Sequence, residues 1–188
     1  MAEKEQPKQE EVVEEKKAEP EPKIEEAPRF QLQVVSESHV LYDEYCGFGA
    51  HEGGNTWIRL VGPDNSAQSW GYFPGSQTDV PAGPTTGNVL DPSHTGYQPD
   101  QVRTFELDQE KATAVIARAE QKRTQPGEYD VLGNNCATFV QDVALAGGVP
   151  VSLEEILLPN QKAVLLHMAQ LRVQSAAGKE VEAESEEQ

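Results

Sequence analysis

Gly133-Asn134-Asn135-Cys136-Ala137-Thr138-Phe139-Val140 is the stretch on which the reading of this chain turns. Asn134 or Asn135 supplies an N-cap side chain. Cys136, Phe139, Val140 and Val143 then share one face of a helix that Gly147-Gly148 stops near Ala146. A cysteine that opens a helix has unpaired backbone N–H groups and the positive end of the macrodipole beside its sulfur, and both favour the thiolate, the reactive form. The same amides suit the oxyanion formed when a carbonyl is attacked. The plainer reading is a packed cysteine on an apolar face, since free Cys is among the most buried residue types.

Working outward, Glu128 to Leu132 precedes this turn as a short strand with Tyr129 and Val131 on one face. Pro126-Gly127 separates it from a helix over Gln109–Arg123, capped by Asp108 and carrying Ala112, Val115, Ile116 and Ala119 as its apolar stripe. Val102 to Leu107 reads as a strand. Asn55 to Val61 and Ser66 to Phe73 flank the turn residues Gly62-Pro63-Asp64-Asn65 and form a β-hairpin. In its first strand Thr56, Ile58 and Leu60 share one face, and Asn55, Trp57 and Arg59 the other. Arg29 to Ser36 alternates Phe30, Leu32 and Val34 with Gln31 and Gln33, the period of a half-buried strand. Gly47, Gly49, Gly53 and Gly54 mark a loop after it, and Pro74 to Pro99 reads as a second, long loop. Downstream, Ser152 caps a helical turn bearing Glu154 and Glu155, and a last helix runs from about Asn160 to Gln174, with Leu165, Met168, Leu171 and Val173 as its apolar content.

The 188 residues carry a formal net charge of −17. Residues 1–28 hold ten Glu and five Lys with only Val12, Val13 and Ile24 as branched aliphatics, and 178–188 hold five Glu and one Lys. Such segments bury too little apolar surface to offset the entropy of ordering, so both are expected to be disordered, leaving residues 29–177 as one α+β domain. The domain lacks a basic stripe, which argues against nucleic acid and anionic lipid surfaces. No apolar run is long enough to span a bilayer and no signal-type segment opens the chain. The expectation is a cytoplasmic protein, with export by a dedicated secretion system as the alternative. Cys46 and Cys136 form no CxxC pair, and no His stands at metal-ligand spacing, so no cofactor or metal is expected and each thiol is expected to be free.

The hairpin with Trp57-Ile58-Arg59-Leu60 and Ser69-Trp70-Gly71-Tyr72-Phe73-Pro74, the following helix, and then Asn135-Cys136-x-x-Phe139 and Gly147-Gly148-Val149 together resemble the permuted papain-like cysteine hydrolases. These are circularly permuted relatives of the NlpC-type cell-wall peptidases and include lecithin-retinol-acyltransferase-like proteins. The resemblance covers 55–150, about half of the chain. It implies a small antiparallel sheet packed against helices in a circularly permuted papain-like fold. It also implies a cysteine hydrolase of peptidase, amidase or acyltransferase type with Cys136 as nucleophile, acting on peptide, cell-wall or lipid-ester substrates. Secreted toxins and effectors use this fold, and the acidic tails would then serve as partner-binding or loading segments.

The family's base is a His in a Gly-His pair at the start of the first hairpin strand. Here that pair is Gly54-Asn55, and an amide takes no proton from a thiol at neutral pH. His51, in the Gly-rich loop, and His94, in Ser93-His94-Thr95, are the two candidate replacements. Asn55, Trp57, Gln68, Trp70 and Asn135 are the candidate substrate contacts. Trp57, Trp70, Tyr72 and Phe73 read either as cross-strand packing or as the wall of a groove. His39 has no assigned place, and His167 reads as a packing or surface residue of the last helix. If no His serves, the expectation is a catalytically weak or inactive relative that binds a partner or ligand in the same cleft.

Overall fold

Leu32 and Val34 alternate with glutamines along β1, Phe30–Glu37, an interior strand one in from the edge of a six-stranded antiparallel sheet. The computed structural model describes residues 29–38, 54–75, 84–92 and 99–186. The other strands are β2, Asn55–Val61, β3, Ala67–Pro74, β4, Thr85–Leu90, β5, Gln101–Leu107, and β6, Glu128–Tyr129, in the spatial order β5-β1-β2-β3-β4-β6. The helices are α1, Gln109–Thr124, α2, Cys136–Ala146, α3, Leu153–Ile156, and α4, Pro159–Glu186. An α+β chain with an antiparallel sheet and packed helices is therefore what these residues build.

The β2–β3 hairpin closes as its turn residues direct. Gly62 N–H donates to Ser66 O at 2.8 Å, Asn65 takes the left-handed backbone at φ 63°, and Asp64 Oδ1 accepts from the Ser66 N–H at 3.0 Å. One face of the sheet presents Leu32, Val34, Ile58, Leu60, Trp70, Tyr72 and Val89. Against it pack Ala112, Val115 and Ala119 of α1 and Phe139, Val140 and Val143 of α2. The two helices are also tied at their outer sides, where Asp142 meets Arg118 at 2.8 Å and Lys122 at 3.0 Å.

Three elements differ from the sequence reading. The long loop expected over Pro74–Pro99 contains β4, hidden by a glycine that sequence reading takes for a loop signal. A Cβ at Gly87 would overlap the Tyr72 ring and hydroxyl, so Gly87 is a site of close approach within a strand. The strand expected over Glu128–Leu132 stops at Tyr129, because Asp130 turns the chain: Gly133 N–H donates to Asp130 O at 3.0 Å and Leu132 N–H to Asp130 Oδ1 at 3.1 Å. The last helix, expected to end near Gln174, runs on to Glu186 and so through most of the stretch 178–188 expected to be disordered. Helix propagation is cheap once the first turns are packed, and the Ala, Glu and Lys of this stretch are good helix formers. Of the apolar residues assigned to this helix only Met168 is fully buried, while Val173 is 69% exposed.

The start of α4 closes one end of the sheet. Gln161 is buried, and its Nε2 lies 3.2 Å from Asn55 O, 3.4 Å from Glu37 O and 3.5 Å from Thr56 Oγ1. Its Oε1 accepts from Leu158 N–H at 2.8 Å. Beside it Ser36 Oγ donates to Ile156 O at 2.7 Å, so α3 and α4 clasp the ends of β1 and β2 where Thr56 lies.

Candidate active site

Asn135 is the residue that fixes where α2 begins. Its Oδ1 accepts from Ala137 N–H and Thr138 N–H, each at 3.0 Å, and Thr138 Oγ1 accepts in return from Asn135 N–H at 2.9 Å, a complete capping box. Asn135 Nδ2 donates to Val131 O at 2.8 Å, tying the cap to the preceding turn. Replacing Asn135 with alanine removes the cap and leaves buried N–H groups and a carbonyl without partners. The expected cost is about 2 kcal/mol in a urea unfolding curve. Asn135→Asp keeps the acceptor and is expected to recover most of that loss; equal losses in the two variants would show that the cap is not what matters.

Cys136 follows at the first position of α2 and is a free thiol. The residue is partly covered, and burial is the largest influence on its thiol, pushing it above its ordinary 9.0. Opposing this are N–H groups from Thr56, Ala137 and Cys136 itself, together with the Tyr129 side chain, all of which favour the anion. The Thr56 amide comes from β2 just before its ladder with β3 begins at Trp57.

Tyr129 is held by two contacts, the second of them part of a chain of rings. β6 pairs it with Thr85, its ring lies 5.3 Å from that of Tyr72, and Tyr72 in turn stacks on Phe139 at 5.9 Å. Tyr72 donates its hydroxyl to Pro126 O at 2.9 Å and accepts from Asn134 Nδ2 at 3.1 Å. Burial, and after it the neighbouring Cys136 sulfur, push the Tyr129 phenol well above 10.0. Tyr129 and Thr56 were not among the candidates from sequence. Strand alternation sets Thr56 on a face with Ile58 and Leu60 and Tyr129 on a face with Val131, but nothing local to either encodes an influence on Cys136.

The candidate substrate contacts are dispersed. Asn135 is the cap just described. Trp70 is buried against the helices with its Nε1–H donating to Glu120 Oε1 at 3.0 Å. Gln68 pairs with Leu60 near the turn end of the hairpin, about 13 Å along β2 from Thr56. Asn55 and Trp57 are buried, and strand alternation sets them on the face opposite Thr56, Ile58 and Leu60. Asn55 pairs in register with Glu37, and its Nδ2 has no hydrogen-bond partner among the described residues. The aromatic patch divides likewise, Trp70 and Tyr72 facing the helices, Trp57 and Phe73 the other side. His51 and His94, and with them His39 and Cys46, lie outside the described residues. His167 is exposed on α4.

Among the described residues no group of three His, Cys, Asp or Glu side chains is placed to hold a metal ion, and no helix is long and apolar enough to cross a membrane. Comparison with known protein families, with curated proteins and with solved structures finds no match to this chain.

Proposed function

We propose that the chain is a thiol-dependent hydrolase or transferase acting on an amide or ester bond through Cys136, in a circularly permuted papain-like arrangement. The observation that carries this reading is the placement of Cys136 at the first position of α2, behind a complete Asn135–Thr138 capping box and on a helix packed against the sheet. In the proposed reaction a base takes the thiol proton, and the sulfur adds to the substrate carbonyl carbon. The carbonyl π electrons move onto oxygen, which N–H groups at the start of α2 are proposed to receive. Collapse of this intermediate expels the amine or alcohol with a proton and leaves a thioester, which water or a second acceptor resolves. His51, and after it His94, are the proposed bases. Peptide, cell-wall and lipid-ester bonds are the proposed substrate classes, and a secreted effector is the proposed setting should the protein be exported.

A second reading has an observation in its favour. Burial holds the thiol protonated at neutral pH, and Asn55 stands where the family has an imidazole, which suits a domain that binds a partner or ligand in the same cleft.

Acylation by an activated ester, followed by mass spectrometry, separates the two. The enzyme reading expects a thioester on Cys136 that is lost in Cys136→Ser and forms more slowly in His51→Ala or His94→Ala. A protein that acquires no acyl group at Cys136 supports the binding reading.

The same thiol predicts a pH dependence of stability. A group whose folded value is raised keeps its proton longer in the folded chain, so its contribution is complete below the unfolded value and is lost as pH rises through the folded one. Denaturant midpoints are therefore expected to fall above pH 9.0, and to fall less in Cys136→Ser. Tyr129 adds a loss of the same sign above pH 10.0, which Tyr129→Phe removes. Equal slopes for wild type and Cys136→Ser between these limits would show that the sulfur is not enclosed in the folded protein.

A further inference from the structure

We infer that α4 is a self-pairing helix, docking antiparallel on the same helix of a second copy of this chain through a seam of Leu166, Ala169, Val173 and Ala176. The inference is independent of the chemistry proposed for Cys136.

The two sides of α4 differ. One is committed to the domain: Gln161 and Met168 are buried, and Arg172 reaches Asp130 at 2.7 Å. The other carries Leu166 and Val173, seven positions apart and 63% and 69% exposed. Half-buried Ala169 and exposed Ala176 complete this outer side. Spacings of three, four and three residues are those by which paired helices carry their seam. Large and small side chains alternate along it, and the pattern is complementary to its own reverse. With Ala169 set against Val173 of the partner subunit, Leu166 falls against the partner's Ala176, so each large side chain meets a small one and the helices can approach closely.

Charge selects the occupant and its direction. From 159 to 177 the helix carries Lys162, His167 and Arg172 and no acidic residue, whereas 178–186 carries four Glu against Lys179. That order runs against the macrodipole, whose negative end favours cations, and no basic residue stands in the last turn. The Ala, Glu and Lys after Gly178 are good helix formers, but their charges oppose the helix, and an interior glycine weakens it further. An antiparallel copy supplies the missing cations, laying its basic half along this acidic half with the two dipoles opposed. The alignment that sets Ala169 on Val173 also sets Lys162 opposite Glu180 of the partner subunit, since position 180 follows Val173 by seven residues on the same side. Lys162 is exposed, and its ammonium uses one donor on Glu154 O at 3.0 Å, which leaves two. A parallel pair would instead bring lysine to lysine and glutamate to glutamate. The contact is two-fold symmetric, so each favourable pair occurs twice.

The test is sedimentation equilibrium of the full chain over a range of concentrations, joined to carbodiimide cross-linking, which bonds an amine to a carboxylate with no spacer. Wild type is expected to pass from monomer to twice the chain mass as concentration rises through the micromolar range. Val173→Glu replaces a mostly solvated side chain, so it is expected to keep the monomer's fold while raising the dissociation constant about tenfold or more. Lys162→Glu and Glu180→Lys are each expected to raise it about fivefold, and the double exchange to restore it. These two also keep the test available if Val173→Glu folds poorly. In a mixture of isotope-labelled and unlabelled protein, the peptide joining Lys162 to Glu180 is expected to combine both kinds of chain. Within one helix those residues stand about 27 Å apart, too far for a bond without a spacer. A chain that sediments as a monomer up to several hundred micromolar overturns the inference and leaves the outer side of α4 to a different protein. A dimer indifferent to Val173→Glu overturns it as well, because such a dimer assembles through another surface. A double exchange that fails to restore pairing, or a dimer without the Lys162–Glu180 link, overturns the antiparallel alignment.

Discussion

Phe139→Ala is expected to destabilise the protein by about 3–5 kcal/mol, the largest loss from any single truncation of the core described here. Phe139 is 1% exposed and stacks on Tyr72 where α2 meets β2 and β3. Its removal opens a void that the surrounding elements cannot collapse to fill, because α2 is fixed at one end by the Asn135 cap and along its outer side by Asp142. A urea titration with an unchanged slope and a much lower midpoint is the expected record. Phe139→Leu, which restores much of the volume, is expected to recover more than half of the loss. A loss below about 1.5 kcal/mol for the alanine variant would mean that the ring is not part of a rigid core.

The second large effect comes from adding a single methyl group. Gly87→Ala drives a Cβ into the Tyr72 phenol, and Tyr72 has nowhere to go. Its ring is bounded by Tyr129 and Phe139 and its hydroxyl is tethered at both lone pair and proton. Either β4 separates from β3 or the phenol gives up its hydrogen bonds, and the expected cost is about 3 kcal/mol by thermal or denaturant unfolding. Tyr72→Phe alone loses about 1–2 kcal/mol, but it removes the hydroxyl oxygen that the new methyl group meets first. The double variant should therefore lose clearly less than the two single losses added together. Strict additivity would show that the two residues are not in contact.

Tyr72 also shows where sequence reading succeeds and where it stops. Local chemistry announces itself: Gly62 to Ser66 specifies the hairpin turn, Asp108 the start of α1, Asn135 and Gly147-Gly148 the two ends of α2. Each is set by groups within a few residues of one another, so the sequence states it directly. Gly87 depends on a ring fifteen positions earlier in the chain, and its only local trait, the missing side chain, reads as loop. The α4 extension was missed for a related reason, since composition describes a segment on its own and not one continuing a packed helix.

The candidate site divides along the same line. Cys136 at a helix start was legible from its cap. The influence of Thr56 and Tyr129 on its thiol was not, because it depends on how β2, β6 and α2 pack. His51 and His94, the proposed bases, lie in the chain between the described strands.

The clasp made by Ser36, Thr56 and Gln161 bears on the order in which the protein matures. Ser36 is bonded across 120 residues to Ile156, and Gln161 reaches back 124 residues to Glu37. Contacts so distant form only after most of the chain exists, and they make for slow folding compared with local ones. During synthesis the hairpin and α1 can settle while the paired ends of β1 and β2 are still unlatched. Those ends are therefore secured last, so nascent chains that stop short of Gln161 should exchange the Ser36 and Thr56 amides far more readily than finished ones.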